Sequence, residues 1–224
     1  MPNPVDFDDY ADRYEQMLQD QLAFFSNDRG YFSEYKVELA RTICQPAPQR
    51  VLDFGCGIGL SLPYLQRYFS NATIFASDLS RKSLDYVAQN WPDVSVLRDD
   101  ELDDQRFDLI FISGVIHHVP PTQREVLFER LGGLLSPQGR LIVFDHNPFN
   151  PVTRHMVSTC PFDEDAVLLR LSAMKQLVRG SAGLSIKASG YCLFFPQALR
   201  FLRPTERLMT WLPMGGQYFV MAQK

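Results

Sequence analysis

The chain has 224 residues and 46% hydrophobic content, which suits one α/β domain with a full core and is too short for two domains of ordinary size. Its net charge of −4 with scattered basic residues argues against a broad nucleic-acid surface, and its longest apolar runs, such as 109–116, are strand-sized, so no membrane insertion is expected. Cys44, Cys56, Cys160 and Cys192 form no C-x-x-C pair and the chain opens on acids (Asp6, Asp8, Asp9, Asp12, Glu15) rather than a leader, so reduced thiols and a cytoplasmic location are expected.

Residues 1–49 read as a helical N-terminal arm, with helical periodicity from about Tyr10 to Cys44. Val51 to Phe54 is a short apolar run and helical spacing resumes over Leu60 to Phe69, so Asp53-Phe54-Gly55-Cys56-Gly57-Ile58-Gly59 falls at a strand-to-helix turn. Glycine there lets the backbone turn at positive φ and lets a ligand approach without meeting a Cβ. Thr73 to Ser77 is a second strand ending at Asp78; Val94 to Leu97 leads into Asp99 and Asp100; Phe107 to Ser113 is a fourth strand; and Leu141 to Asp145, after Pro137 and Gly139, is a fifth. Such alternation over 50–145 predicts a mostly parallel sheet with helices on both faces. Residues 146–183 read as a substrate-side segment. Residues 184–224 read as a closing pair of strands, about Leu184 to Phe195 and Gln217 to Ala222, joined by a stretch marked by Pro196, Pro204 and Pro213. Open sheets of this kind bind ligands outside the carboxyl ends of their strands. That places Asp53 to Gly59, Asp78, Asp99, Asp100, Ser113 and Asp145 on one rim, although several of these acids could equally cap the helices that follow.

The loop spacing is D-x-G-x-G-x-G rather than G-x-G-x-x-G, and no Gly-Lys-Ser/Thr occurs. This loop resembles the first motif of the class I S-adenosylmethionine-dependent methyltransferases, and Leu135-Ser136-Pro137-Gln138-Gly139-Arg140-Leu141 resembles their L-x-P-x-G-x-L turn. The resemblance implies a Rossmann-like, seven-stranded, mostly parallel sheet with the last strand antiparallel, an N-terminal helical lid, and S-adenosyl-L-methionine as cofactor. It implies cofactor contacts at Asp53, Gly55, Cys56, Gly57, Gly59, Asp78, Leu79, Asp99, Asp100 and Ser113, with Asp78 on the ribose hydroxyls and Asp99 or Asp100 on the adenine amino group. A carboxylate at Asp53 suits a ligand that has no phosphate but carries an ammonium and a sulfonium.

Candidates for work on the substrate come from three segments. Ser113-Gly114-Val115-Ile116-His117-His118-Val119-Pro120 resembles the "vlHH" segment of small-molecule members related to the ubiquinone-biosynthesis and phosphobase enzymes. It implies that His118 faces the cofactor, with a packed structural histidine as the alternative. Gly114 stands where the phosphobase enzymes carry an acid, which puts their substrate and chemistry in question here. Asp145-His146-Asn147-Pro148-Phe149-Asn150-Pro151 is a stiff loop that could hold His146, Asn147 and Asn150 over the methyl group, or use its asparagines only to satisfy turn backbones. Arg154 either binds an anionic substrate or pairs with the acids of 163–165. Phe7 to Tyr14 resembles the F-D-x-x-A-x-x-Y opening of the lid, with Tyr10 and Tyr14 on one helix face. Catalytic candidates are thus His118, His146 and Tyr14; substrate-binding candidates are Asn147, Asn150, Arg154 and Tyr10. Ser113 replaces the first acid of the catechol-type magnesium site, His146 splits Asp145 from Asn147, and no zinc-like spacing occurs, so no metal is expected. The expected activity is methylation of a small molecule, with oxygen favoured as acceptor. The alternatives are a nucleic-acid or protein methyltransferase and a non-catalytic adenosylmethionine-binding module.

Overall fold

The computed structural model describes residues 30–224 apart from Ala182. The proposed lid, with Tyr10 and Tyr14, lies outside the described residues. From Gly30 onward the elements run α1 (Tyr31–Ile43), β1 (Arg50–Phe54), α2 (Leu62–Tyr68), β2 (Thr73–Ser77), α3 (Arg81–Asn90), β3 (Ser95–Val96), β4 (Phe107–Ser113), α4 (Arg124–Leu134), β5 (Leu135–His146), α5 (Pro151–Thr159), α6 (Leu171–Gly180), β6 (Ser185–Cys192) and β7 (Gln217–Gln223). Short 3₁₀ turns carry Asp99–Glu101, Ile116–His118 and Pro161–Asp163.

The sheet has seven strands in the order β3-β2-β1-β4-β5-β7-β6. β7 runs antiparallel to both β5 and β6, and the other pairings are parallel. The alternation of strand side chains explains the layers. Val51, Ile74, Ala76, Leu109, Phe111, Ile142 and Phe144 face one way and bury against Val37 and Ala40 of α1, Leu62 and Leu65 of α2, and Leu84 and Val87 of α3. Leu52, Phe75, Ile110, Ile112, Leu141 and Val143 face the other way, onto Phe128 and Leu131 of α4 and Met174 and Val178 of α6. Chain order reverses between β1 and β4, so the loops leaving these two strands diverge and open a crevice at their carboxyl ends.

Three elements differ from the sequence expectation. β5 begins at Leu135 rather than after the Pro137–Gly139 turn. The expected turn is an irregular strand entry, with a register shift opposite Phe107 and Gln138 at φ 66°. β3 keeps only Ser95 and Val96. β6 ends at Cys192, short of Phe195, because Leu193 adopts φ 60° and the backbone N–H groups of Leu193 and Phe195 donate to the buried Glu206 carboxylate. No helix among the described residues is long and apolar enough to cross a membrane.

Candidate active site

The glycine loop is built as a cradle. After β1, the N–H groups of Gly55 and Cys56 both donate to the Ser77 carbonyl, at 2.8 and 3.1 Å, which ties the loop to the end of β2. The Asp78 carboxylate then accepts from Gly57 N–H at 2.8 Å and from Ser80 N–H at 2.8 Å, joining the loop to the start of α3. Gly57 has φ 52°, and a Cβ added there would meet nothing within 4 Å. Its backbone therefore borders open space, in a conformation that side-chain-bearing residues rarely adopt. Gly59 is different: at φ 84° its added Cβ would strike Leu62 and Trp91, so that glycine serves packing. Leu79, 89% exposed, stands beside the Asp78 turn, whereas Cys56 is buried beneath the loop.

Asp53 sits under this cradle, buried at the end of β1, and its Oδ2 is sealed from solvent without a hydrogen-bond partner. Burial, reinforced by the Asp78 charge and opposed by Lys36, raises its pKa to about 7. A buried carboxylate oxygen without a donor is costly unless a cation or donor reaches it. Lys36 comes from α1: its Nζ donates to Ser113 Oγ at 2.6 Å, and its charge acts on Asp145 and Asp53. Burial lowers the Lys36 pKa to about 8. Nothing in the sequence reading singled out Lys36.

Across the crevice, the loops after β4 and β5 meet in a cluster of histidines and acids. His117 is buried, and its Nδ1 lies 2.5 Å from Asp145 Oδ1, which also accepts from His146 N–H at 2.7 Å. Asp163 Oδ1 lies 3.6 Å from His117 Nε2 and 3.3 Å from His118 Nε2, and Asp165 Oδ1 lies 3.2 Å from His118 Nδ1. Burial would lower the His117 pKa, but Asp145 and Asp163 outweigh it and raise the value to about 9. The His146 ring stands 4.7 Å from that of His117. Burial first, then the positive charge on His117, holds the His146 pKa down to about 4. At neutral pH the cluster thus pairs a charged His117 with a neutral, half-buried His146. Gln217 Nε2 reaches His146 Nδ1 at 3.4 Å.

The structure brings Asp53, Gly55, Cys56, Gly57, Gly59, Asp78 and Leu79 together in the cradle, and Ser113, His118 and His146 on the facing loops. Asp99 and Asp100 each engage a neighbouring arginine. Asp99 binds Arg130 of α4 at 2.7 Å, and Asp100 is exposed beside Arg98. His118 is held between two carboxylates, and the segment carrying them, Asp163 to Asp165, entered the sequence reading only as a partner for Arg154. Arg154 is exposed on α5, while Asp163 and Asp165 are taken by the histidines.

The amides of Asn147 and Asn150, for which the sequence left a substrate role and a turn-bracing role open, are used here by backbone groups. Asn147 is fully buried; its Nδ2 donates to the carbonyls of Pro213 and Gly215, and its Oδ1 accepts from Phe149 N–H. Asn150 Oδ1 caps α5 through Val152 and Thr153 N–H, while its Nδ2 donates to the Met214 carbonyl. Both residues brace the loop that presents His146.

Comparison with known proteins agrees with this geometry. Residues 51–139 match the family model described as a methyltransferase domain. Over 107 residues the chain is 31% identical to an uncharacterized methyltransferase of Synechocystis sp., a match covering 46% of this chain and 50% of the relative. The chain thus spans about half the length of that curated relative. Among solved structures it is similar to a SAM-dependent methyltransferase from Archaeoglobus fulgidus, with TM-score 0.68 and 14% identity over 94% of this chain and all of that one. It is also similar to the plantazolicin methyltransferase BpumL in complex with SAH, with TM-score 0.61 and 18% identity over 96% of this chain and 87% of that one. At such identities the structural likeness is one of fold.

Proposed function

We propose that this chain is a class I S-adenosylmethionine-dependent methyltransferase that methylates a small-molecule acceptor, with oxygen favoured over nitrogen or carbon. The observation that carries this reading is the pairing of open space over Gly57 with the partnerless buried Oδ2 of Asp53 directly beneath the same loop. That pairing fits a ligand whose backbone-hugging portion carries a cationic amine. When bound, S-adenosylmethionine supplies a methyl group on a sulfonium leaving group.

The chain's own residues then have defined tasks. Asp53 neutralises the amine, and Asp78, already fixed by Gly57 and Ser80 N–H groups, offers its remaining acceptor capacity to ribose hydroxyls. Lys36, bonded to Ser113, keeps the positive end of the rim in place between Asp53 and Asp145. His146 takes the acceptor's proton. As the acceptor oxygen shares its lone pair with the incoming methyl, its proton becomes strongly acidic, so a ring held near pKa 4 is still base enough. The methyl joining the acceptor oxygen would come from the sulfonium, which would leave as the thioether, and His146 would hold the released proton. Enclosure by the N-terminal arm, including Tyr10 and Tyr14, belongs to the same proposal. A cytoplasmic small-molecule enzyme also agrees with the acidic net charge.

The test is formation of adenosylhomocysteine from labelled cofactor with a panel of small hydroxyl, amine and activated-carbon acceptors. His146→Ala should cut turnover by about 10²-fold or more, while adenosylhomocysteine affinity changes only slightly. Turnover preserved in His146→Ala would remove the base assignment. Cofactor binding without turnover on any acceptor class, protein and RNA included, would favour a non-catalytic binding module.

A further inference from the structure

The cluster opposite the glycine loop has a geometry that methyl transfer does not require. One carboxylate oxygen, Asp163 Oδ1, faces two ring nitrogens, His117 Nε2 at 3.6 Å and His118 Nε2 at 3.3 Å. One ligand atom from each of His117, His118 and Asp163 lies within 4.8 Å of the other two. The far nitrogen of each ring is held by its own carboxylate: His117 Nδ1 by Asp145 at 2.5 Å, and His118 Nδ1 by Asp165 at 3.2 Å. With each Nδ1–H donated outward, an ion that displaces the Nε2 proton of His117 finds both Nε2 atoms facing Asp163 Oδ1. A carboxylate behind a metal-binding imidazole fixes its tautomer and orientation in this way, and here the arrangement occurs twice around one centre.

We propose that His117, His118 and Asp163 bind a divalent first-row transition ion of the zinc type, with Asp145 and Asp165 as positioning residues. Two imidazoles and one carboxylate make a borderline donor set that favours such an ion over magnesium or calcium, which prefer all-oxygen shells. The two carboxylate–nitrogen distances, 3.6 and 3.3 Å, agree, since ligands about 2.0–2.1 Å from a tetrahedral ion lie about 3.3 Å from each other. His117 is buried while His118 and Asp163 are only partly so, so the centre can be reached from one side by an ion in solution. Linear spacing could not announce this site, because Asp163 joins adjacent histidines from beyond α5. Zinc alternatives are few among the described residues: all four cysteines are buried, and the remaining exposed histidine is His155 on α5.

The test uses the full chain, stripped with chelator and titrated with zinc by calorimetry, with magnesium as a control. It reads metal directly and so stands apart from methyl transfer. Expected are about one tight equivalent of zinc, nitrogen-ring scattering at the zinc absorption edge, loss of this binding in His118→Ala and Asp163→Asn, and a weakening of about 10- to 100-fold in Asp165→Asn. Circular dichroism checks folding; if Asp163→Asn does not fold, His118→Ala decides. Failure of the folded wild type to take up zinc, or equal uptake by folded His118→Ala, would overturn the site and leave these residues as an ion-paired cluster.

Discussion

Replacing Asp78 by alanine tests two jobs that fall on a single carboxylate. Its oxygens accept from Gly57 N–H and Ser80 N–H, both at 2.8 Å, and so fasten the glycine loop to the start of α3. Hydrogen bonds to a charged acceptor contribute roughly 1.5–3 kcal/mol each when well enclosed. Asp78 is half-exposed and the freed N–H groups regain water, so the variant should lose about 1–2 kcal/mol, a fall in Tm of about 2–8 °C for a chain of this size. If the same carboxylate also receives the ribose hydroxyls, adenosylhomocysteine should bind about 10- to 150-fold more weakly, the equivalent of roughly 1.5–3 kcal/mol. Thermal melts and isothermal calorimetry on the same preparation separate the two effects. A lowered Tm with an unchanged Kd would leave Asp78 as a loop brace and refute the ribose assignment.

Two further outcomes follow from the cradle. Gly57→Val should leave a folded protein, destabilised by about 1–2 kcal/mol through its left-handed backbone, whose affinity for adenosylhomocysteine falls at least about tenfold because the new side chain enters the open space; retained affinity in calorimetry would remove the loop from the binding site. Asp53 has a folded pKa of about 7, above its ordinary carboxylate value, chiefly through burial, so in the free protein its contribution to stability is complete at low pH and is lost as pH rises through 7. A cationic amine beside it reverses that preference, so adenosylhomocysteine binding should release a proton near pH 6 and weaken as pH falls below 7. Calorimetry in buffers of different ionisation enthalpy measures that proton, and a wild-type signal identical to that of Asp53→Asn would assign the linkage elsewhere.

The sheet was legible where composition and position agree. Phe107 to Ser113 is apolar at nearly every position because both faces of a central parallel strand are covered, and the alternating glycines could mark only a turn. The rim chemistry was less legible, for reasons of distance along the chain. Lys36 lies on an amphipathic helix among Glu34, Glu38 and Arg41, where a lysine ordinarily belongs to the solvated face. Its burial against Ser113, 77 residues later, follows from how α1 lies on the sheet. Asp163 and Asp165 resemble surface acids until α5 carries the chain back over β4. The asparagines of the β5 loop were read with both roles open, and the carbonyls that claim Asn147 come from 66 and 68 residues further on.

The position of β7 has a consequence for the order in which this molecule can come together. It covers the outer edge of β5, pairing from Arg140 to His146, and the residues just before it supply the carbonyls that anchor Asn147. Until that late segment docks, β5 presents an open, strongly apolar edge, a template for pairing with another chain, and His146 has no braced loop to hold it. The four strands that precede β5 in sequence can pair earlier, so the glycine cradle can mature well before the opposite wall. Damage confined to 213–223 should therefore strike the wall that carries His146 first, in a chain prone to sticking to its neighbours.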